Sequence, residues 1–269
     1  MRTPLPVYVI NLERDAERLS DTREAFARFP WLDLRRSPGI VMSGVPDTAC
    51  RYLARIWDDS LEKNTLGCFL AHVGAWETVA GGTEDWALVV EDDVTPTSVV
   101  EGIPELVLPE DAELVFVNKR MADPSGKSGA LQFLSVASIL PHKAGLPSTR
   151  AAPGGDGYLL SKQGAAKLLK AVTRDGFNGH VDWRLLRYSL KQADVAAAGS
   201  GTWMTEKRAL RPDSDKPQWE VLKAYRASRF LICARSGITS VRSPDRIKRD
   251  ARAAAAAGQG GGKADALVQ

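Results

Sequence analysis

The stretch Trp86-Ala87-Leu88-Val89-Val90-Glu91-Asp92-Asp93-Val94 decides how the rest of the chain is read. Four apolar residues, Ala87 to Val90, run without alternation into three consecutive acids. A continuous apolar run of that length suits a strand buried on both faces, as in a parallel α/β sheet. Three carboxylates at its end repel one another and are costly to desolvate, so a cation is expected beside them. Hard oxygen ligands on a rigid strand end select Mg²⁺ or Mn²⁺, usually shared with a phosphate. Ligands of open α/β sheets bind just beyond the carboxyl ends of strands. The plainer reading is a solvated acidic turn.

Working outward, Val7-Tyr8-Val9-Ile10-Asn11-Leu12 reads as a first strand, rich in β-branched and aromatic residues. Asp15 to Phe29 reads as a helix, with Leu19, Phe26 and Phe29 on one face and Pro30 closing it. Asn11, Glu13, Arg14 and Arg18 fall at the strand end and the first helical turns. Arginines there suit a diphosphate or a stacked base. Taken alone, these residues read more readily as an exposed helix face laced with Glu17 and Glu24. Residues 33–48 are turn-rich and predict a short strand and a loop. Leu66 to Val79 predicts a helix on the spacing of Leu66, Phe69, Leu70, Val73 and Trp76; His72 falls on another face and is read as a packing residue.

Ala112 to Asn118 reads as another buried strand, and Lys119 to Pro153 as a loop-rich middle suited to shaping an acceptor site. Within it, Ser125-Gly126-Lys127-Ser128 is not a phosphate loop, because Met121 stands where the leading glycine is required. Gly157 turns into a short strand, Tyr158 to Leu160, and Ser161 caps a helix running to about Val172. Asp182 suits the N-cap of a helix over Arg184 to Leu190, and Asp194 to Ala198 suggests a last short strand. Residues 1–201 are therefore taken as one domain and 202–242 as an extension able to pack on it. Residues 243–269 read as a basic, Ala/Gly-rich disordered tail.

Composition sets bounds. The 269 residues are 44% hydrophobic and 26% charged, ordinary for a globular protein. A net charge of +3 is too small to argue for nucleic acid. Cys50, Cys68 and Cys233 are odd in number and lack CxxC spacing, which fits reduced thiols in the cytoplasm. No leader or membrane-spanning run is expected. Arg246, Lys248, Arg249 and Arg252 could hold the chain near anionic lipid, or simply solvate a free end.

Several separated blocks resemble glycosyltransferase family 25, the bacterial lipooligosaccharide galactosyltransferases and their relatives in collagen glycosylation. They are Val9 to Arg14 with Arg18, Leu66 to His72 with Trp76-Glu77, Ala87 to Asp93, Gly157 to Ala165, and Val181-Asp182-Trp183. Their order spans roughly residues 7–190. The resemblance implies an α/β, GT-A-like fold, a single Rossmann-type domain with a mixed central sheet. It also implies a nucleotide-sugar donor (UDP-linked, galactose being the commonest association), a glycan or lipid-linked saccharide acceptor, Mn²⁺ or Mg²⁺, and inversion. The chain departs from the family at Ala71, where Ser precedes the histidine, and in its ending after residue 200.

Under that resemblance the acids divide the work. Glu91 and Asp93 share one side of an extended end while Asp92 points away. Asp93 is favoured as metal ligand, with Glu91 contacting ribose or metal-bound water; a turn would make Asp92 the rival. Asp182 is the candidate base for the acceptor hydroxyl, with Asp156 in reserve. His180 would complete the metal shell, and Asn11, Arg14 and Arg18 would contact the nucleotide end. One competing class is a haloacid-dehalogenase-type phosphohydrolase, but glutamate stands at its nucleophile position. The other is a non-catalytic nucleotide-sugar or glycan-binding module.

Overall fold

The computed structural model describes residues 4–55, 62–101, 107–123, 130–144, 146, 152–177, 179–197 and 219–235. The chain divides into two units, 1–235 and 236–269. The second unit, with the whole basic tail, lies outside the described residues, as does Ser125 to Ser128.

The acidic stretch ends a central strand. Strands β1 (Leu5–Asn11), β2 (Leu32–Pro38), β3 (Trp86–Glu91), β5 (Leu114–Phe116), β6 (Phe133–Ser135), β7 (Gly157–Ser161) and β8 (Ala224–Ala227) form a seven-stranded sheet in the order β2-β1-β3-β7-β5-β8-β6. β1 pairs in parallel with β2 and β3, whereas β7 lies antiparallel to both β3 and β5. A mixed central sheet is thus the observed architecture, as expected. β4 (Val94–Pro96) and β9 (Ile232–Ala234) form a separate two-stranded pair directly after the acids.

Both faces of the central strands are covered, which is why their apolar runs do not alternate. Val7, Val9, Leu88 and Val90 pack on one side with Leu19 and Phe26 of α1 (Ala16–Ala27). Tyr8, Ala87 and Val89 pack on the other with α3 (Lys63–Gly81), α4 (Lys162–Asp175) and α5 (Val181–Tyr188). Val7, Val9, Val89 and Val90 are all fully buried, each contributing about 1.5–3 kcal/mol. α3 touches the fold nearly all round, and a Cβ on Gly67 would lie 2.5 Å from the Ile40 carbonyl oxygen. The close approach of α3 to that loop therefore requires glycine.

Several local expectations are corrected. A helix, α2 (Asp47–Ala54), follows the turn-rich segment. Gln192–Ala197 is helical and not a strand, in keeping with the alanines' helix preference. α5 begins at Val181, so its N-cap is His180; Asp182 sits in the first turn and its Oδ1 accepts from the Trp183 amide at 2.9 Å. Ser161 does cap α4, accepting from the Gly164 amide at 2.9 Å. The middle segment carries β6, a 3₁₀ turn over Val136–Ile139 and a short helix over Leu140–Ala144. Residues 219–235 supply an interior strand of the central sheet, β8, and the partner of β4. Among the described residues no helix is long and apolar enough to cross a membrane.

Candidate active site

The site is built where β3 ends, against the turns that follow β1 and precede β7. Glu91 closes β3, and Asp92 and Asp93 make the turn into β4. Asp92 and Glu91 diverge toward opposite faces. Asp92 is buried on the α1 side, where it forms an ion pair with Arg18 and accepts from Asn11 Nδ2 at 2.7 Å. Its carbonyl accepts from Thr22 Oγ1 at 3.0 Å and from Arg235 at 2.7 Å. Glu91 reaches the α3 side, its Oε1 3.7 Å from His72 Nε2. Asp93 lies 3.6 Å from Arg18.

Asn11 is wholly engaged inside the protein. Its amide also donates to the Asp15 carbonyl at 2.9 Å, and its Oδ1 accepts from Arg36 at 3.2 Å. Asn11 thus anchors the β1 end to Asp92. Arg18 is different: its Nε and Nη1 are buried and lack a hydrogen-bond partner. A guanidinium with two unpaired N–H groups beside an acidic turn is suited to the oxygens of a phosphate. Arg14 stands exposed in the turn before α1, and His180 is half-buried at the N-terminus of α5.

The second wall is the turn before β7. Gly154 has φ +73°, a left-handed conformation in which a Cβ would collide with Asp156 Oδ1. Asn118 at the end of β5 holds this turn, donating to the carbonyls of Gly154 at 3.0 Å and Gly157 at 3.4 Å. Asp156 is buried, with Oδ1 lacking any partner. Burial pushes its carboxyl up to about 6; Arg120 opposes this, and Glu91 and Asp182 add to it. Burial likewise pushes Asp93 up to about 7, helped by Glu91, Asp92 and Asp156 against Arg18. Burial also raises Asp92, against the pull of Arg18 and Asn11 toward the carboxylate. Lys143, in the short middle helix, is buried and pushed down to about 8 by that burial and by Arg120, while Asp182 pulls it up.

The structure therefore brings Glu91, Asp93, Asp156 and Asp182 into one electrostatic neighbourhood, flanked by Arg18, Arg120 and Lys143. The crowding of acids fits a cation: burial, with the neighbouring like charges adding to it, holds the carboxyls up, and a buried acceptor on Asp156 is unmatched. The set expected from the sequence, Glu91, Asp93 and His180, is not drawn tightly together. Among the described residues the one group of His, Cys and acids with ligand atoms mutually within 4.8 Å is Cys68, His72 and Glu91.

Sequence reasoning missed Arg235, which ties β9 to the site. Its amide donates to the Asp93 carbonyl at 2.7 Å, and its guanidinium also pairs with Asp21 at 3.0 Å. No local signal marks an arginine so far along the chain. Cys68, His72 and Trp76 recur at i, i+4 and i+8, so, contrary to the expectation above, His72 shares a side of α3 with Trp76, and both reach the Tyr158 hydroxyl. The ion pair between Arg18 and Asp92 gives a direct stability test. Arg18→Met leaves Asp92 buried without its counter-charge and should cost about 3 kcal/mol in urea unfolding. A loss below about 1 kcal/mol would show that Asn11 alone accommodates the carboxylate.

The chain is a mixed α/β sheet with acids and buried guanidinium nitrogens at a strand-end rim, the place where ligands of open α/β sheets bind. The pattern described as Glycosyltransferase family 25 (LPS biosynthesis protein) matches residues 5–178, and the chain belongs to this family. With that membership, the parallel β2-β1-β3 half and antiparallel β7 are the GT-A-like arrangement the resemblance implies. No curated protein sequence matches the chain. Among solved structures, the apo-form glycosyltransferase GlyE of Streptococcus pneumoniae TIGR4 is 12% identical over 90% of this chain and 57% of its own, with a TM-score of 0.40. The galactosyltransferase LgtC, in complex with donor and acceptor sugar analogues, is 9% identical over 94% of this chain and 96% of its own, at 0.37. The bifunctional glycosyltransferase WbbM is 8% identical over 94% and 52%, at 0.40. The chain thus spans a little over half the length of GlyE.

Proposed function

We propose that this family member is an active, metal-assisted, inverting hexosyltransferase. It moves a sugar, galactose by the family's commonest association, from a UDP-linked donor to a glycan or lipid-linked saccharide. The observation that carries the reading is the pairing of unmatched charges at one rim. Arg18 offers two unpaired buried N–H groups, and it lies beside an acidic cluster whose carboxyls are held high.

Asp93 is proposed to hold Mn²⁺ or Mg²⁺, with Glu91 and His180, which are not drawn together without the ion, closing on it when it binds; the ion would neutralise charge on the donor's diphosphate. Arg18 would grip the diphosphate and Arg14 the nucleotide end, while Asn11 and Asp92 keep Arg18 in place through the contacts described above. Lys143 and Arg120, on the far side of the acids, would steady Asp182 and Asp156. Asp182 would take the proton of the acceptor hydroxyl as that oxygen attacks the anomeric carbon, from the face opposite the departing diphosphate. The peripheral membrane contact suggested by the basic tail enters the proposal from sequence alone.

A thermal-shift panel of UDP-, GDP- and CMP-sugars, each with and without Mn²⁺, tests this. UDP-galactose at about 100 times its Kd should add about 2.7 kcal/mol only when Mn²⁺ is present. Stabilisation by a GDP- or CMP-sugar instead would replace the donor. Binding without donor consumption, with every saccharide acceptor tried, would favour the non-catalytic module.

A further inference from the structure

Three ligand-type side chains meet on the α3 side of the sheet. Cys68 and His72 lie one turn apart on α3, and Glu91 ends the strand packed against it. One ligand atom from each, Cys68 Sγ, a His72 ring nitrogen and a Glu91 carboxylate oxygen, lie within 4.8 Å of one another. His72 is fully buried and its Nε2 has no partner within hydrogen-bond distance. Burial disfavours its charged form, but Tyr158, Cys68 and Glu91 around the ring outweigh that and raise its pKa, so a cation at this point competes with a proton. Leaving such an atom unmatched is costly. Glu91 Oε1 stands 3.7 Å from it, too far for a hydrogen bond. Two ligands bonded at about 2.0 Å to a tetrahedral cation are roughly 3.3 Å apart, so a small inward movement would bridge this gap.

The other face of the imidazole is already secured. His72 Nδ1 lies 2.9 Å from the Tyr158 hydroxyl, which accepts from Trp76 Nε1 at 2.7 Å. The His72 ring stacks on Tyr158 with centroids 5.9 Å apart. With Nδ1–H donating to the Tyr158 hydroxyl, which has a second lone pair to accept it, Nε2 keeps its own lone pair for the ion, the arrangement that orients metal-binding histidines. Gly155 packs beside this edge of the ring, where a Cβ would make an ordinary contact with Nε2 at 3.5 Å.

We propose that Cys68, His72 and Glu91 form a binding site for a thiophilic divalent cation of the Zn²⁺ type. Three protein ligands leave a fourth position for water or a bound group. The thiolate and imidazole select Zn²⁺ over the hard cations that suit the acidic turn. The binding forms are the thiolate and the neutral imidazole, so loading releases protons to solvent and weakens as pH falls. The ion enters past Glu91, whose side chain is 34% exposed. Bound there, it pins the end of β3 to α3 and fixes the direction of Glu91. The site requires no nucleotide, so it stands or falls apart from the donor proposed above.

The test is a Co²⁺ titration of the full, metal-stripped chain without nucleotide, read by absorption. One equivalent should produce a thiolate-to-cobalt charge-transfer band that Zn²⁺ displaces and Mn²⁺ does not. Cys68→Ser should abolish the band, while Cys233→Ser and Asp93→Asn should keep it. Glu91→Gln, at the exposed rim, should weaken Co²⁺ binding without threatening the fold. Tyr158→Phe should weaken Zn²⁺ binding about tenfold by freeing the imidazole to turn. Absence of the band in the wild-type chain, its survival in Cys68→Ser, or equal displacement by Mn²⁺ overturns the site.

Discussion

Replacing Asp93 with asparagine should make the metal-free protein more stable at pH 8 while abolishing its Mn²⁺-dependent binding of nucleotide sugar. The reason is the cost of the carboxylate in the empty site. Burial and the charges of Glu91, Asp92 and Asp156 push Asp93 up to about 7 from an ordinary 3.8, with Arg18 only partly offsetting them. A group whose pKa is raised on folding adds stability below its unfolded value, and that stability is lost as pH rises through its folded value. The metal-free wild type should therefore lose stability between about pH 4 and about pH 7, the interval set by those two values. The Asp93→Asn variant has no such proton to lose. Allowing for relaxation among the coupled acids, the difference at pH 8 should be on the order of 2 kcal/mol. That is roughly 4–8 °C in Tm for a domain of this size. The two proteins should converge near pH 4. Equal melting curves at pH 8, or a gap that ignores pH, would show that Asp93 is solvated and carries no strain for a cation to relieve.

The parts of this site legible in the sequence are those fixed by short-range pattern. The runs Val7 to Ile10 and Ala87 to Val90 announce strands buried on both faces, and the acids follow directly, so their place at the sheet's rim is set by a few residues. The Arg18 contact was also foreseeable, because one helical turn after β1 returns the chain to the neighbouring strand end. What the pattern hides depends on distant partners. β8 is only Ala224–Ala227, and its Arg226 is buried, donating to Ser138 Oγ at 2.8 Å and the Met121 carbonyl at 3.3 Å. A buried arginine is affordable only through those acceptors, which lie about a hundred residues away. The Asp194 to Ala198 segment failed for the opposite reason. Its only strong cue is local, and Asp194 Oδ2 accepting from the Lys191 amide at 3.1 Å starts a helix there. His72 was read as packing, and it is packed; its chemistry comes from Glu91, nineteen positions on.

Asp182→Asn should lower the transfer rate by about 10²–10⁴ and leave donor binding in Mn²⁺ unchanged. Asp182 has a structural duty as well, and the choice of substitution separates the two. Its Oδ1 accepts from the Trp183 amide in the first turn of α5, an acceptor that asparagine retains. Asp182→Ala removes both the acceptor and the base, so it should cost about 1 kcal/mol of stability in addition to the rate. A residue that only starts the helix would show the reverse pattern, with the asparagine variant nearly as active as wild type. Asp156 is the competing base, since its carboxyl is pushed up to about 6 and its Oδ1 is unmatched. It is also only 6% exposed, beneath the Gly154 turn and next to Arg120, whereas Asp182 is half-buried at the edge of α5. An acceptor hydroxyl has to come within hydrogen-bond reach of the base, and only Asp182 presents itself without the turn opening. Asp156→Asn should accordingly weaken the grip on the cation more than it slows the transfer of bound sugar. If Asp156→Asn instead stops turnover at saturating donor while Asp182→Asn does not, the two acids exchange roles.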